Sequence, residues 1–443
     1  MTGLNRAPLV RRALTSLVLI IVVAFGLRLG YAWDQTANIP REVIGRLPFQ
    51  TETGHIASAL ATGKGFASPF QRDSGPTAWL APIYPLLVAG IFKTFGLYTR
   101  TSFFVAVFLN ILFSSATCVP IFYAGKRVAG LGVGAGAAWL WALFPNAILI
   151  PFEWIWDTSL AALLAAIILW VTIELPESRR WRDWIGYGLL WGLALMTNPA
   201  LLSMLPVLLV WLTYCTRSDS RIRLAKPALA AIVAVACCVP WTLRNFVVFH
   251  RVIPFRSNLS YELYIGNNEN YDEHHRGATP VITQELETLR YLRMGETAFM
   301  DEERRKALQF IASHPRMEVK LLRWRFVDFW MGVADPLRTF VAANSWPIRG
   351  ILLVNFVSAL GALLGIVTLF SKRNPYAVSL ATFPVVFPLL YYVTHTSLRY
   401  RHPIDPVVLL LTAIATGAIL GWGRSLVQRN KQTAQSTTAL APS

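Results

Sequence analysis

Charge is scarce in this chain. Of 443 residues, 15% are Asp, Glu, Lys or Arg and 54% are hydrophobic, whereas a soluble domain of this size carries about 25% charged residues. The deficit is concentrated in long apolar runs, each near the ~20 residues a helix needs to cross the hydrocarbon core, which excludes an ordinary soluble enzyme. Cysteine is almost missing too. Cys118, Cys215, Cys237 and Cys238 all fall in or at the ends of apolar runs, which argues against a disulfide framework and a Cys-based metal site. Ionisable groups inside the runs are rarer still, Arg28 being the main exception. Ion-coupled transporters place such groups near the midplane, so a transporter becomes the weaker alternative. The net charge of +17 comes with no nucleic-acid motif. An N-terminal cleavage site is also lacking: Arg6, Arg11 and Arg12 precede an apolar run from 13 to 31 that is too long for a signal-peptide core and reads as an uncleaved first span.

What is present is an all-α polytopic membrane pattern. Uninterrupted apolar runs cover 13–32, 102–123, 130–148, 158–173, 184–198, 200–215, 227–247, 349–370, 376–394 and 405–423, predicting about ten transmembrane helices. Basic clusters at Arg6/Arg11/Arg12, Lys126/Arg127, Arg179/Arg180/Arg182, Arg217/Arg221/Arg223/Lys226, Lys372/Arg373 and Arg424/Arg429/Lys431 all fall on one side if segment 79–97, with Pro82, Pro85 and Lys93, lies in the interface rather than crossing. Short basic loops stay cytoplasmic, which puts both termini inside. The chain then divides into an N-terminal membrane module, 1–247, carrying a first external loop at 33–101; an external, mainly helical segment, 248–347; C-terminal transmembrane helices, 348–431; and a polar tail, 432–443, expected to be disordered. Residues 317–331 alternate basic and aromatic side chains and suit a helix lying in the interface. All seven histidines fall on the external face.

Three external segments carry candidate chemistry. In FQTETGHIASALATGKGF, Glu52 and His55 stand at i, i+3 on one face of a short helix. Glu52 reads either as a general base or as a carboxylate favoured by the helix N-terminus. In FEWIWDTSLAAL, Glu153 and Asp157 stand at the outer mouth of a span; Asp157 reads either as an acid of the site or as a helix cap, and Trp154 and Trp156 as interfacial anchors. In THTSLRYRHPIDP, Arg399, Arg401 and His402 place positive charge on the external side, against the topology bias. Phosphate is a natural partner, because guanidinium offers a planar fork of donors; ordinary lipid head groups are the other. Arg244, in VPWTLRN, is a third candidate for that phosphate. His55, His402, Tyr84 and Asn267 are candidate substrate contacts. The run NYDEHH (270–275) has metal-capable side chains without a recognised ligand spacing.

The ordered set GHIASALATGKGFASPF, GPTAWLAPIYPLLVAGIFKTFG, WALFP, WIWDTSLA, PWTLRN, YELYIGNNE and RYRHPIDP, running through nearly the whole chain, resembles bacterial GT-C fold glycosyltransferases. These are relatives of the protein O-mannosyltransferases and of the lipid A aminoarabinose transferase. The resemblance implies an enzyme of the bacterial inner membrane that takes a sugar from a polyprenyl-phosphate donor at the periplasmic face. It also implies an essential acid in the first external loop, where Glu52 holds the place although the usual acidic pair is missing, and a second acid matched by Asp157. The expected mechanism is a one-step displacement with inversion: Glu52 and Asp157 act on the acceptor and sugar, and Arg399, Arg401 and Arg244 hold the phosphate. Members of this fold differ in metal use, which leaves a divalent ion (Mg or Mn) open. Membrane lipids are the other expected partners, no nucleic acid is expected, and the acceptor is unspecified. The competing readings are a transporter or flippase of lipid-linked or small solutes, and a glycan ligase using a diphosphate-linked donor.

Overall fold

The computed structural model describes residues 12–439 apart from 13, 38, 40–48, 217–218, 270–284, 334 and 344; the NYDEHH run therefore lies outside the described residues. Those residues are almost entirely helical and form no strand beyond an isolated bridge between Ala67 and Pro76.

Each of the ten apolar runs becomes helical, but not as ten equal spans. Among the described residues, six helices are long and apolar enough to cross a membrane: Leu17–Ala37, Arg100–Ala129, Thr158–Glu177, Ser220–Phe249, Trp346–Ser371 and Leu398–Gly423. A seventh apolar element is a pair, Leu131–Leu143 and Pro145–Glu153, bent by 46° as in a broken span or a re-entrant loop. The remaining runs give the shorter helices Trp181–Thr197, Pro199–Cys215 and Ala377–Val393. Proline accounts for the shortening. Asn198 is extended ahead of Pro199, which opens a 3-10 turn, because the residue before proline is pushed out of the α region; Pro388, which has no N–H to bond one turn back, divides Ala377–Val386 from Leu389–Val393. Segment Ile83–Phe95 is a helix of 13 residues. At 1.5 Å per residue it reaches about 20 Å, short of the ~30 Å hydrocarbon core.

The bend at Phe144–Pro145 explains the one basic residue in the first span. Pro145 has no N–H, so the Trp141 carbonyl loses its usual donor one turn on. The buried Arg28 fills the gap. It donates to Trp141 O and Ala142 O at 3.2 Å each and to Ala24 O and Ser114 Oγ at 2.8 Å each. A guanidinium at membrane depth is tolerated when its protons are used in this way. Arg28 is therefore an architectural clamp.

The loop after Glu52–Ala61 and the segment between Ser220–Phe249 and Trp346–Ser371 share a small aromatic core of Ile56, Phe66, Phe70, Trp79, Tyr261, Tyr291 and Phe299. A buried carboxylate, Glu296, ties them further, accepting from Ala78 N at 2.8 Å, Ser257 Oγ at 2.7 Å, Tyr291 Oη at 2.7 Å and Thr77 Oγ1. The segment 248–347, expected to be mainly helical, supplies helices Glu285–Met294 and Glu296–Ser313, and the expected interface helix is Pro315–Met331. The last helix runs Asp405–Ala439. Residues 432–439 are thus helical rather than the disordered tail read from composition: they contain neither Gly nor Pro, so a helix already nucleated upstream propagates through them.

Candidate active site

The Glu52 helix starts at Thr51, whose side chain accepts from Gly54 N at 3.5 Å. Glu52 is the first helical residue and only partly covered. Its surroundings include the Trp79 side chain, Arg399 and Glu262. Burial pushes its carboxyl above the ordinary range; its own backbone N–H, Arg399 and Trp79 oppose this, and Glu262 reinforces it.

Asp157 holds the N-cap position of Thr158–Glu174, yet its side chain makes no capping bond. The capping reading therefore fails. The carboxylate instead accepts from Asn198 Nδ2 at 3.0 Å and lines a cleft with Trp156, Asn198, Arg256, Glu262, Tyr391, His395, Arg399 and Tyr400. Burial raises its pKa to about 6, against the pull of Arg256, Arg399 and Asn198. A smaller adjoining cleft is lined by Thr53, Leu80, Tyr84, Trp156, Asp157 and Arg256, so Asp157 and Arg256 stand on the wall between the two.

Arg399 is held flat against aromatic rings: its guanidinium carbon lies 4.7 Å from the Trp154 ring centre, 4.6 Å from Trp156 and 5.1 Å from Tyr400. The two tryptophans expected as membrane anchors thus form a cation–π seat. Across the cleft, Glu262 accepts from Asn258 Nδ2 at 2.9 Å and sits 3.2 Å from His395 Nδ1. That wall depends on a close approach. A Cβ added to Gly266 would stand 1.7 Å from Thr394 O, so the end of the Glu262 helix can touch the His395 loop only as glycine. The buried Arg325 locks the same junction, donating to Tyr392 O at 2.9 Å, Val393 O at 3.0 Å and Asn267 Oδ1 at 2.8 Å.

Other residues singled out in the sequence lie elsewhere. Arg401, two positions from Arg399, points into the protein: it pairs with Asp405 at 2.7 Å and donates to Asn355 Oδ1 at 2.9 Å and to Trp330 O. His402 is fully buried with its ring 5.1 Å from that of Trp141. Two positions along a helix amount to about 200°, which turns Arg401 away from the cleft. Arg244 donates to Thr77 O and Phe66 O at 2.7 Å each, pinning the first external loop instead of facing a phosphate. Asn267 is buried and bonds Leu263 O at 2.8 Å and Val393 O at 3.0 Å. His55 does not share Glu52's surroundings. It opens onto a separate groove with Ser58, Lys64, Arg72, Asp73 and Tyr98. Tyr84 borders the smaller cleft and donates to Asn110 Oδ1 at 2.9 Å. Glu153 accepts from Tyr31 Oη at 2.9 Å.

Arg256, Glu262, His395, Tyr400 and Asn198 were missed as site residues. Arg256 carried the signal that flagged Arg399, a positive charge in an external segment. The others are single polar residues in external loops, with no spacing that marks them.

Residues 80–243 match the family described as dolichyl-phosphate-mannose-protein mannosyltransferase. Among solved structures, the chain resembles the oligosaccharyltransferase of Archaeoglobus fulgidus. Its apo form gives a TM-score of 0.54 at 13% identity, over 94% of this chain and 51% of that one. The complex with zinc and sulfate gives 0.53 at 13% identity, over 95% and 51%. The form tethered to an acceptor peptide containing the NVT sequon gives 0.51 at 12% identity, over 91% and 50%. The chain has the GT-C fold. Its described residues form a multi-pass helical membrane fold, and the chain spans about half the length of these matched structures. No curated protein matches it in sequence.

In this GT-C chain the mannosyltransferase-type segment contains Asp157, Asn198 and Tyr84, whereas Glu52, Arg256, Glu262 and Arg399 come from outside it. The cleft therefore closes only when three parts of the chain meet. Its donor set is carboxylates interleaved with guanidiniums. Among the described residues no three His, Cys, Asp or Glu side chains gather closely enough to hold a metal ion. Two carboxyls raised toward neutrality beside two fixed cations suit proton abstraction coupled to stabilisation of an anionic leaving group.

Proposed function

We propose that the chain transfers a sugar from a polyprenyl-phosphate carrier to an acceptor hydroxyl at the extracytoplasmic face of the bacterial inner membrane. The observation that carries this reading is the meeting of Asp157, Arg256 and Arg399 around one cleft, with Glu52 near enough to feel the charge of Arg399. Arg399 and Arg256 take the carrier phosphate. Glu52 accepts the acceptor's hydroxyl proton, and Asp157 orients the sugar between the two clefts. The acceptor oxygen attacks the anomeric carbon as the bond to the phosphate oxygen breaks, giving inversion and a free lipid phosphate whose charge the guanidiniums stabilise. A raised carboxyl pKa suits a general base working near neutral pH, and such assistance contributes about 10²–10⁴-fold. A positive charge aimed at the leaving group is the other large contribution.

The test is transfer from a polyprenyl-phosphate sugar by purified protein, with product stereochemistry read by NMR. Wild type should form a glycosidic bond with inversion, and Glu52→Gln should lower kcat about 10²–10⁴-fold. Near wild-type turnover by Glu52→Gln, or transfer only from a diphosphate-linked donor, sinks this assignment.

A further inference from the structure

A directional hydrogen-bond chain crosses the wall of the cleft. Asn258 donates to Glu262 Oε1 at 2.9 Å, His395 Nδ1 lies 3.4 Å from the Glu262 carbonyl oxygen as a hydrogen bond and 3.2 Å from Glu262 Oε2 as an ion-pair contact, His395 Nε2 lies 3.1 Å from Tyr400 Oη, and Arg399 Nη2 donates to Tyr400 Oη at 3.4 Å. Glu262, His395, Arg399 and Tyr400 all line the cleft. The partners fix the protons. Glu262 and the Arg399 guanidinium have one role each, acceptor and donor. In neutral His395 the Nδ1–H faces Glu262, Nε2 is the acceptor, and the single proton of Tyr400 must point at the histidine. Tyr400 then shows the cleft an oxygen without a proton to give.

One added proton reverses that. With both ring nitrogens protonated, His395 donates through Nε2 to Tyr400, and the Tyr400 hydroxyl proton turns free. We propose that His395 and Tyr400 form a proton-linked phosphate-binding element: when the anionic donor enters beside Arg399, His395 takes up a proton from solvent and Tyr400 donates its own proton to a phosphate oxygen. Tyr400 is then a substrate-contacting residue and His395 and Glu262 are positioning residues. The inference rests on the reading that Arg399 receives the donor phosphate.

The electrostatic surroundings set the sign. Facing His395 are Glu262 from the helix Leu259–Gly266, Arg399 and Tyr400 from the turn Leu398–Arg401, and Arg325 from Pro315–Met331. Burial, Arg399 and Arg325 hold the imidazole below its ordinary range, and Glu262 pulls it up. The free protein therefore keeps His395 neutral near pH 7. An arriving anion adds negative charge on the Tyr400 side and raises the bound-state pKa above the free one. Binding is then tightest below the free pKa. It weakens as pH rises from the free to the bound pKa, by up to about tenfold per pH unit, and levels off above it.

The experiment measures binding of farnesyl methyl phosphate to the full-length protein in nanodiscs between pH 5 and 9, read by tryptophan fluorescence from the Trp154 and Trp156 that seat Arg399. This phosphodiester keeps a single negative charge throughout that range, so any pH slope belongs to the protein. Wild-type affinity should fall with rising pH. Tyr400→Phe, which keeps the ring, should bind about tenfold more weakly at pH 5.5 and lose the slope. His395→Asn should also be flat, and Glu262→Gln should move the slope to lower pH. A flat wild-type profile, or a Tyr400→Phe profile parallel to wild type, overturns the proton-linked element while leaving the donor reading intact. Absence of any saturable binding, with Arg399→Gln indistinguishable from wild type, overturns the donor reading and this inference with it.

Discussion

Asp157 should make the protein less stable than it need be. Its carboxyl moves from an ordinary 3.8 to about 6 on folding, a difference of roughly two pKa units, or about 3 kcal/mol in favour of the neutral form. The sign follows from linkage. A group whose folded pKa is raised contributes stability that is fully present below the unfolded pKa and is lost as pH rises through the folded pKa. Between pH 3.8 and about 6 the cost of keeping Asp157 folded therefore grows, and above about 6 the full penalty is present. Asp157→Asn preserves shape and can still accept from Asn198, whose Nδ2 lies 3.0 Å away, but carries no charge to desolvate. The variant should melt higher than wild type at pH 8, by up to about 5 °C, and the gap should close toward pH 4. Activity should fall at every pH, giving the exchange of stability for function expected where a buried charge is kept for chemistry. Thermal unfolding in detergent across pH 4–8, paired with a transfer assay, provides the check. A variant less stable at pH 8, or a gap independent of pH, would refute the argument that Asp157 is held at an energetic cost.

Two further outcomes follow from the two arginines near the C-terminus. Arg399→Lys keeps the charge but loses the planar stacking on Trp154 and Trp156 and the fork of donors; the donor KM should rise about 10-fold or more at little cost in melting temperature, and an unchanged KM would contradict the assignment. Arg401→Met leaves Asp405 buried without its 2.7 Å partner, a loss of about 3–5 kcal/mol. Yield and melting temperature should collapse, while Arg401→Met with Asp405→Leu should recover most of both. Preserved stability with a selective loss of donor binding in Arg401→Met would return that residue to the phosphate site.

Much of the architecture was legible because hydrophobic length is a local property. The apolar runs became helices, and segment 79–97 produced a helix too short to span. The bent pair was written in Trp141 to Pro145, since a missing N–H has its effect within one turn. The unequal lengths of the spans were less legible: Pro388 lies in a run whose composition is uniformly apolar, and composition registers it weakly. The site was legible in part. Glu52, Asp157 and Arg399 were flagged because acid and base in external loops have no packing reason to be there. The same logic flagged Arg244, Arg401 and His402, which the structure uses to bind carbonyls, an aspartate and an aromatic ring. A sequence shows that a charge needs a partner without showing which partner it finds.

The sequence by itself determined that this chain is a multi-pass helical membrane protein with its polar, titratable groups gathered in the segments between apolar runs, because desolvation penalties act residue by residue and can be summed along the chain. Only the tertiary structure decided which of those groups share a cleft. Arg399 and Arg401 are two positions apart in one short turn, and the rotation of that turn sends one guanidinium between tryptophans and the other into the core. Asp157 stands at a helix cap and points away from it. Such directions depend on residues far along the chain, Arg325, Gly266 and Asn198 among them, whose contacts exist only after the helices have packed.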